Sequence, residues 1–151
     1  MSLVQYAYIA KPTAEQVGKF LTELGSRGIS ISHLGKSDPA RKFKGNQDEA
    51  LSMIFEGTDL TNSTFARDAA LKLHLTFEVH HDPRWTSSTV SASCVDPNVL
   101  NFIADSAAAT FDLFLTIRGV SGAGKEQRWE IIHVTEKCPS DLRARIDRCS
   151  S

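Results

Sequence analysis

Two runs with alternating hydrophobicity, FDLFLTIR at positions 111–118 and QRWEIIHV at positions 127–134, enclose the glycine-rich segment GVSGAGKE at 119–126. Alternation with a period of two residues is typical of β-strands. A short glycine-rich connection between two such strands is typical of a hairpin. We therefore predict that these two runs pair as antiparallel strands.

The glycine-rich segment almost matches a phosphate-binding loop. Gly119, Gly124 and Lys125 fit the pattern G-x-x-x-x-G-K-[ST], but Glu126 stands where the hydroxyl that binds magnesium should be. A phosphate-binding loop is also followed by a helix, whereas the residues after this segment alternate like a strand. We therefore interpret the segment as a connector and predict no nucleotide or other cofactor.

The most regular alternation in the chain lies at 71–81, where leucine, phenylalanine and valine alternate with polar residues. One side of this strand is expected to join the core and the other to face solvent. A turn with Asp82 and Pro83 follows, and the next strand, at 88–95, is expected to pair with the first as a hairpin.

Two segments carry helix-start signals. Thr13 and Gln16 form a capping box before an apolar periodicity that predicts a helix at about 14–24. Asp96 followed by Pro97 is the expected start of a second helix. Further strands are predicted at 3–10, 29–34 and 50–56, and a short helix at 63–70.

These elements predict an α+β fold: a mostly antiparallel or mixed sheet of about six to seven strands, with two main helices packed on one face. The order strand, helix, strand occurs at 3–34 and again at 88–118, which suggests two β-α-β-type halves, ferredoxin-like in character. A single α+β domain is expected at 1–135, followed by a solvated C-terminal tail with a short helix at 136–151.

The composition is that of an ordinary soluble globular protein: 151 residues, 41% hydrophobic and 23% charged, with a formal net charge of -1. This near-neutral balance argues against broad nucleic-acid binding. Cys94, Cys138 and Cys149 lack the spacing of metal ligands, and no apolar run is long enough to span a membrane. The N-terminus lacks the features of a secretion signal, so a cytoplasmic monomer or homodimer that binds no nucleic acid and no membrane is expected.

A first group of candidate site residues lies on the polar side of the most regular strand. His74, Glu78 and His80 alternate there, and imidazole and carboxylate groups can bind zinc or transfer protons. His33 and His133 could contribute from neighbouring strands. The open interpretations are a metal site at His74, Glu78 and His80, acid–base catalysis by His80, Glu78 and His133, and a simple solvated face.

A second group lies in the polar segment at 35–49, for which a long exposed loop is predicted. The segment collects cations around one aromatic ring: Lys36, Arg41, Lys42, Phe43 and Lys44. Such a cluster suits contact with an acidic protein surface. Acidic residues in the same loop weaken the positive electrostatic potential that would attract nucleic acid.

No set of residues in the sequence indicates a specific catalysed reaction, so we predict a non-enzymatic protein-binding module. The concrete hypothesis is a small cytoplasmic bacterial immunity or inhibitor protein that neutralises a partner, such as a toxin or effector, by surface complementarity. Its expected contacts are Lys36, Arg41, Lys42, Phe43, Lys44, His74, Glu78 and His80. The alternatives are a small-molecule-binding domain or an acid–base or metal-dependent enzyme that uses the His74, Glu78 and His80 face, and a homodimer joined through a sheet edge.

Overall fold

The computed structural model describes residues 2–10, 12–29, 33–36, 64–79, 87–120 and 129–140, together with Leu142 and Ala144. In chain order the elements are β1 (Leu3–Ala10), α1 (Ala14–Ser26), β2 (His33–Lys36), β3 (Thr64–Asp68), β4 (Leu73–Val79), β5 (Ser87–Cys94), α2 (Pro97–Thr110), β6 (Leu113–Val120) and β7 (Glu130–Val134). Within these ranges no helix is long and apolar enough to cross a membrane.

The seven strands in the described ranges form one antiparallel sheet in the order β2-β3-β4-β5-β1-β6-β7. β1 lies between β5 and β6, as its apolar residues on both faces require. The predicted α+β class is confirmed, and so are the pairings of β4 with β5 and of β6 with β7. Gly119 and Val120 continue β6, and the remainder of the glycine-rich segment lies outside the described residues.

The second predicted β-α-β half is present, because α2 joins β5 to β6 and these two strands run parallel on either side of β1. The first half has a different geometry, since three strands separate β2 from β1. The ferredoxin-like detail is therefore not confirmed.

One predicted element is wrong, and another cannot be compared. The helix predicted at 63–70 is instead the strand Thr64–Asp68, which pairs with β2 and β4. Pairing on both sides overrides the helix preference of the alanine-rich local sequence. The strand predicted at 50–56 lies outside the described residues.

Both helices begin at the predicted caps. The Thr13 amide donates to Oε1 of Gln16 at 3.0 Å, and the Gln16 amide donates to Oγ1 of Thr13 at 3.2 Å. This reciprocal pair is a capping box. At the start of α2, Oδ1 of Asp96 accepts from the amide of Asn98 at 2.9 Å, and Pro97 occupies the first helical position.

The end of α1 depends on a glycine. Gly28 has a φ of 86°, a left-handed conformation that favours glycine. Its amide donates to the carbonyl of Gly25, and the amide of Ile29 donates to the carbonyl of Leu24, both at 3.1 Å. This is the Schellman arrangement, which satisfies carbonyls that the helix leaves without partners.

The main core lies between the sheet and the two helices. The ring of Phe20 in α1 lies 6.2 Å from that of Phe77 in β4 and 5.1 Å from that of Phe111 after α2, measured between centroids. The other large side chains in this core include Ile9, Leu24, Leu73, Leu75, Leu100 and Ile103.

A second apolar cluster contains the β6 residues Leu115 and Ile117 together with Leu142. In the strand register Ile117 pairs with Tyr6, and the Tyr6 ring lies 5.5 Å from that of Trp129. These positions alternate with those that face the helices, so the cluster lies on the opposite side of the sheet. The expectation of a solvated tail does not hold for Leu142, which is buried in this cluster.

Candidate functional site

The side of the sheet away from the helices includes the polar positions of β4. Leu73, Leu75 and Phe77 of this strand are buried in the main core, whereas His74 is exposed. The prediction that one side of this strand is buried in the core and the other faces solvent is therefore confirmed for these residues. The register of the neighbouring strands shows which residues share the wet side with His74.

Three rows of residues cross the sheet on this side. We call their members the open face, apart from Thr89, Leu115 and Ile117, which are buried. The first row contains His33, Arg67, His74, Ser93 and Val4. The second row contains Phe65, Thr76, Ser91, Tyr6 and Ile117. The third row contains Glu78, Thr89, Tyr8 and Leu115. The Cβ atoms of residues next to each other in a row are about 5 Å apart.

His74 and Arg67 are exposed cross-strand neighbours in the first row. Loss of hydration lowers the pKa of His74 from its ordinary value of 6.5, and the positive charge of Arg67 lowers it further. The lowered pKa favours the neutral imidazole of His74 at pH 7. The first row then presents the fixed charge of Arg67 beside an imidazole that can donate and accept hydrogen bonds.

The other predicted contact residues do not all lie on the open face. Glu78 belongs to the third row of the open face. Lys36 pairs with Thr64, whose partner on β4 is the buried Phe77, so its register position is on the helix side of the sheet. The remaining predicted contacts lie outside the described residues: Arg41, Lys42, Phe43, Lys44 and His80.

The metal-site interpretation stays a prediction. Among the residues that the structure describes, no group of three or more histidine, cysteine, aspartate or glutamate side chains could hold a metal ion. The predicted set of His74, Glu78 and His80 includes a residue outside these ranges, so it is not tested by this observation.

The acid–base interpretation needs His133 close to Glu78, and the structure does not bring them together. Nε2 of His133 lies 3.1 Å from Oδ1 of Asp105 in α2, so His133 faces the helix side of the sheet. Three strands separate β4 from β7. The two strands are therefore roughly 19 Å apart, at about 4.8 Å for each strand spacing.

Sequence reasoning missed the part of the open face that comes from β3 and β5. Arg67 lies in a segment for which a helix was predicted, so no local signal indicated that it is a neighbour of His74. Ser91 and Ser93 had a usable signal, because polar and apolar residues alternate along SSTVSASC at 87–94. That alternation indicates a strand with one face away from the core.

No protein-family model matches the chain, and the comparison with curated proteins gave no match. A solved structure that resembles it is the crystal structure of the toxic C-terminal tip of CdiA from Pseudomonas aeruginosa in complex with immune protein. The match has 13% sequence identity and a TM-score of 0.49, and it covers 91% of this chain and 99% of that chain. A likeness at this level assigns neither a family nor a role.

Proposed function

We propose that this protein is a protein-binding module and that the open face is its contact surface. The main support for this proposal is the arrangement of polar side chains in the three rows of the open face. One continuous sheet displays guanidinium, imidazole, hydroxyl and phenol groups at regular spacing. The main core supports this sheet from behind, so the groups are held in position before a partner binds, which lowers the entropy cost of binding.

The chemistry of the rows suits a protein partner. Tyrosine and arginine are enriched at protein interfaces because each combines a large contact area with hydrogen-bonding groups. In the register, Ser93 lies next to the larger His74 and Ser91 lies next to the larger Tyr6. A partner's side chain can therefore pack over the short serines and accept or donate hydrogen bonds there.

In its narrower form, the proposal is a small cytoplasmic immunity or inhibitor protein that covers the working surface of a toxin or effector. The open face has Arg67 in its first row and Glu78 in its third. A complementary partner carries an acidic group opposite the first row and a basic group opposite the third. Such complementarity selects one partner and one orientation.

Site-specific cross-linking tests the surface. A photoreactive amino acid is placed at Ser91 in one variant and at Lys19, which is exposed on α1, in a matched control. We expect one partner to be captured from Ser91 and not from Lys19. Capture of the same partner with equal yield from both positions would reject the open face as the contact surface.

The captured partner then allows a quantitative test. Arg67→Glu is expected to weaken the complex by about tenfold or more, because it places like charges opposite each other. Lys19→Glu should change affinity by less than about twofold. The narrower inhibitor proposal requires that one equivalent of this protein abolish the partner's own activity, and full activity in the saturated complex would reject it.

A further inference from the structure

Leu142 lies on the same side of the sheet as the open face. Its side chain is 4% exposed, and it packs with Leu115 and Ile117 of β6 in the second apolar cluster. In the register these two residues pair with Tyr8 and Tyr6, which belong to the third and second rows. The chain after β7 therefore returns over the sheet, and Leu142 covers the β6 end of both rows.

Among the described residues after β7, Leu142 is the main apolar anchor. We call residues 138–140 with Leu142 and Ala144 the C-terminal segment. Cys138 is half-buried against the same cluster, whereas the other members of the segment are exposed. Burying one leucine contributes a free energy comparable to the entropy cost of ordering about two residues. Releasing the segment therefore costs little compared with unfolding the sheet, which packs many such side chains in its main core.

A partner on the open face meets this segment. Tyr6 and Tyr8 belong to the open face, and both are half-buried because they also pack against the cluster that contains Leu142. A partner that contacts the rows as far as β1 therefore lies next to the segment. When Leu142 leaves, Leu115 and Ile117 extend the two rows with apolar surface that a partner's apolar side chain can cover.

We propose that the C-terminal segment is an intramolecular cover that competes with the protein partner for the β1 end of the open face. In the free protein Leu142 occupies the apolar surface of Leu115 and Ile117. In the complex an apolar side chain of the partner takes the place of Leu142, while the polar rows supply hydrogen bonds. This regulation of the contact surface rests on the proposed function.

Unfolding with two probes tests the cover without a partner. Trp85→Phe leaves Trp129, which packs against the cluster, as the single tryptophan of the full-length chain. In urea, the emission of Trp129 is expected to shift to longer wavelength at lower denaturant concentration than the far-ultraviolet circular dichroism changes, because the segment leaves before the sheet unfolds. Coincident transitions would show one cooperative unit and overturn the proposal.

Two leucines of equal exposure provide a matched pair of variants. Leu142 and Leu21 in α1 are both 4% exposed, and Leu21 belongs to the main core. Leu142→Ala should tighten the complex with the partner captured from Ser91 by about threefold or more, because a larger fraction of the protein is then uncovered. Leu21→Ala should change the affinity by less than about twofold. Unchanged or weaker binding of Leu142→Ala would show that the segment does not compete with the partner.

Failure of the cover and failure of the proposed function give different results. Capture of a partner from Ser91 together with coincident unfolding transitions would reject the cover and leave the proposed function standing. Loss of the folded circular dichroism in Leu142→Ala would also reject the cover, because Leu142 would then belong to the core of the sheet. If Ser91 captures no partner, both proposals are wrong, even where the emission of Trp129 changes first.

Discussion

Gln5 and Arg118 form a hydrogen-bonded pair on neighbouring strands: Oε1 of Gln5 accepts from Nη2 of Arg118 at 2.7 Å and from Nε at 3.1 Å. Gln5 is only 1% exposed, and its Nε2 donates to the carbonyl of Leu100 in α2 at 3.1 Å. One buried amide thus connects β1, β6 and α2. A buried amide without hydrogen-bond partners destabilises the folded state. These bonds therefore favour one packing position of α2 on the sheet.

Removing the amide should therefore destabilise the protein. Gln5→Met is expected to lower the free energy of unfolding by about 2 kcal/mol, because the Leu100 carbonyl loses its donor and Arg118 loses its acceptor. Urea denaturation of this variant, of Arg118→Met and of the double variant measures the coupling. We expect the two losses to fall short of additivity by about 1 kcal/mol. Fully additive losses would show that the two side chains do not act as a pair.

Thr116 in β6 and Thr135, just after β7, should respond to the same substitution with opposite changes in stability. Oγ1 of Thr116 is buried without a hydrogen-bond partner in the described structure, whereas Oγ1 of Thr135 donates to the carbonyl of Leu113 at 2.7 Å. Thr116→Val is expected to raise the free energy of unfolding by about 1 kcal/mol, and Thr135→Val to lower it by a similar amount. Shifts of the same sign in chemical denaturation would contradict this account.

Lys72 adopts a left-handed backbone conformation, with a φ of 53°, in the turn between β3 and β4. A side chain with a Cβ is strained there, while glycine is not. Lys72→Gly should stabilise the protein by roughly 0.5 to 1 kcal/mol, even though glycine loses more chain entropy on folding. The same change at Lys19, in the middle of α1, should destabilise it by about 1 kcal/mol. Differential scanning calorimetry of the two variants should therefore show melting temperatures that move in opposite directions.

His74 should titrate below 6.5 in the folded protein, because partial loss of hydration and the charge of Arg67 both lower its pKa. The unfolded chain then takes up the proton at higher pH than the folded protein does. The wild type is therefore expected to lose stability relative to His74→Gln as the pH falls through 6.5. NMR titration of the imidazole measures the pKa directly, and Arg67→Gln should raise it. An unchanged pKa in Arg67→Gln would show that the charge of Arg67 has no part in the shift.

Some elements could be predicted because their signals are local. The capping box at Thr13 and the Asp96-Pro97 start need only neighbouring residues, and both helices begin there. The two-residue alternation at β4 likewise describes the strand's own two sides. The strand at Thr64–Asp68 was missed because its partners, β2 and β4, and not its own propensity, stabilise it.

The candidate site was predicted less completely, because membership of one surface depends on register. The sequence indicated that His74 and Glu78 share one side of a strand, and the register agrees. It grouped them with Lys36 and His133, whose register positions belong to the other side of the sheet. It could not indicate Arg67, because only the pairing of β3 with β4 makes that residue a neighbour of His74.

Local patterns in the chain were thus enough to specify the α+β class, the two helices and the hydrophobic side of each regular strand, because these follow from residues a few positions apart. Tertiary structure alone decided that β1 lies between β5 and β6, partners more than 75 residues away along the chain. That position packs Ala7 and Ile9 into the main core and places Tyr6, on the other side of β1, against Trp129. The three rows of the open face exist only once β1 has this position.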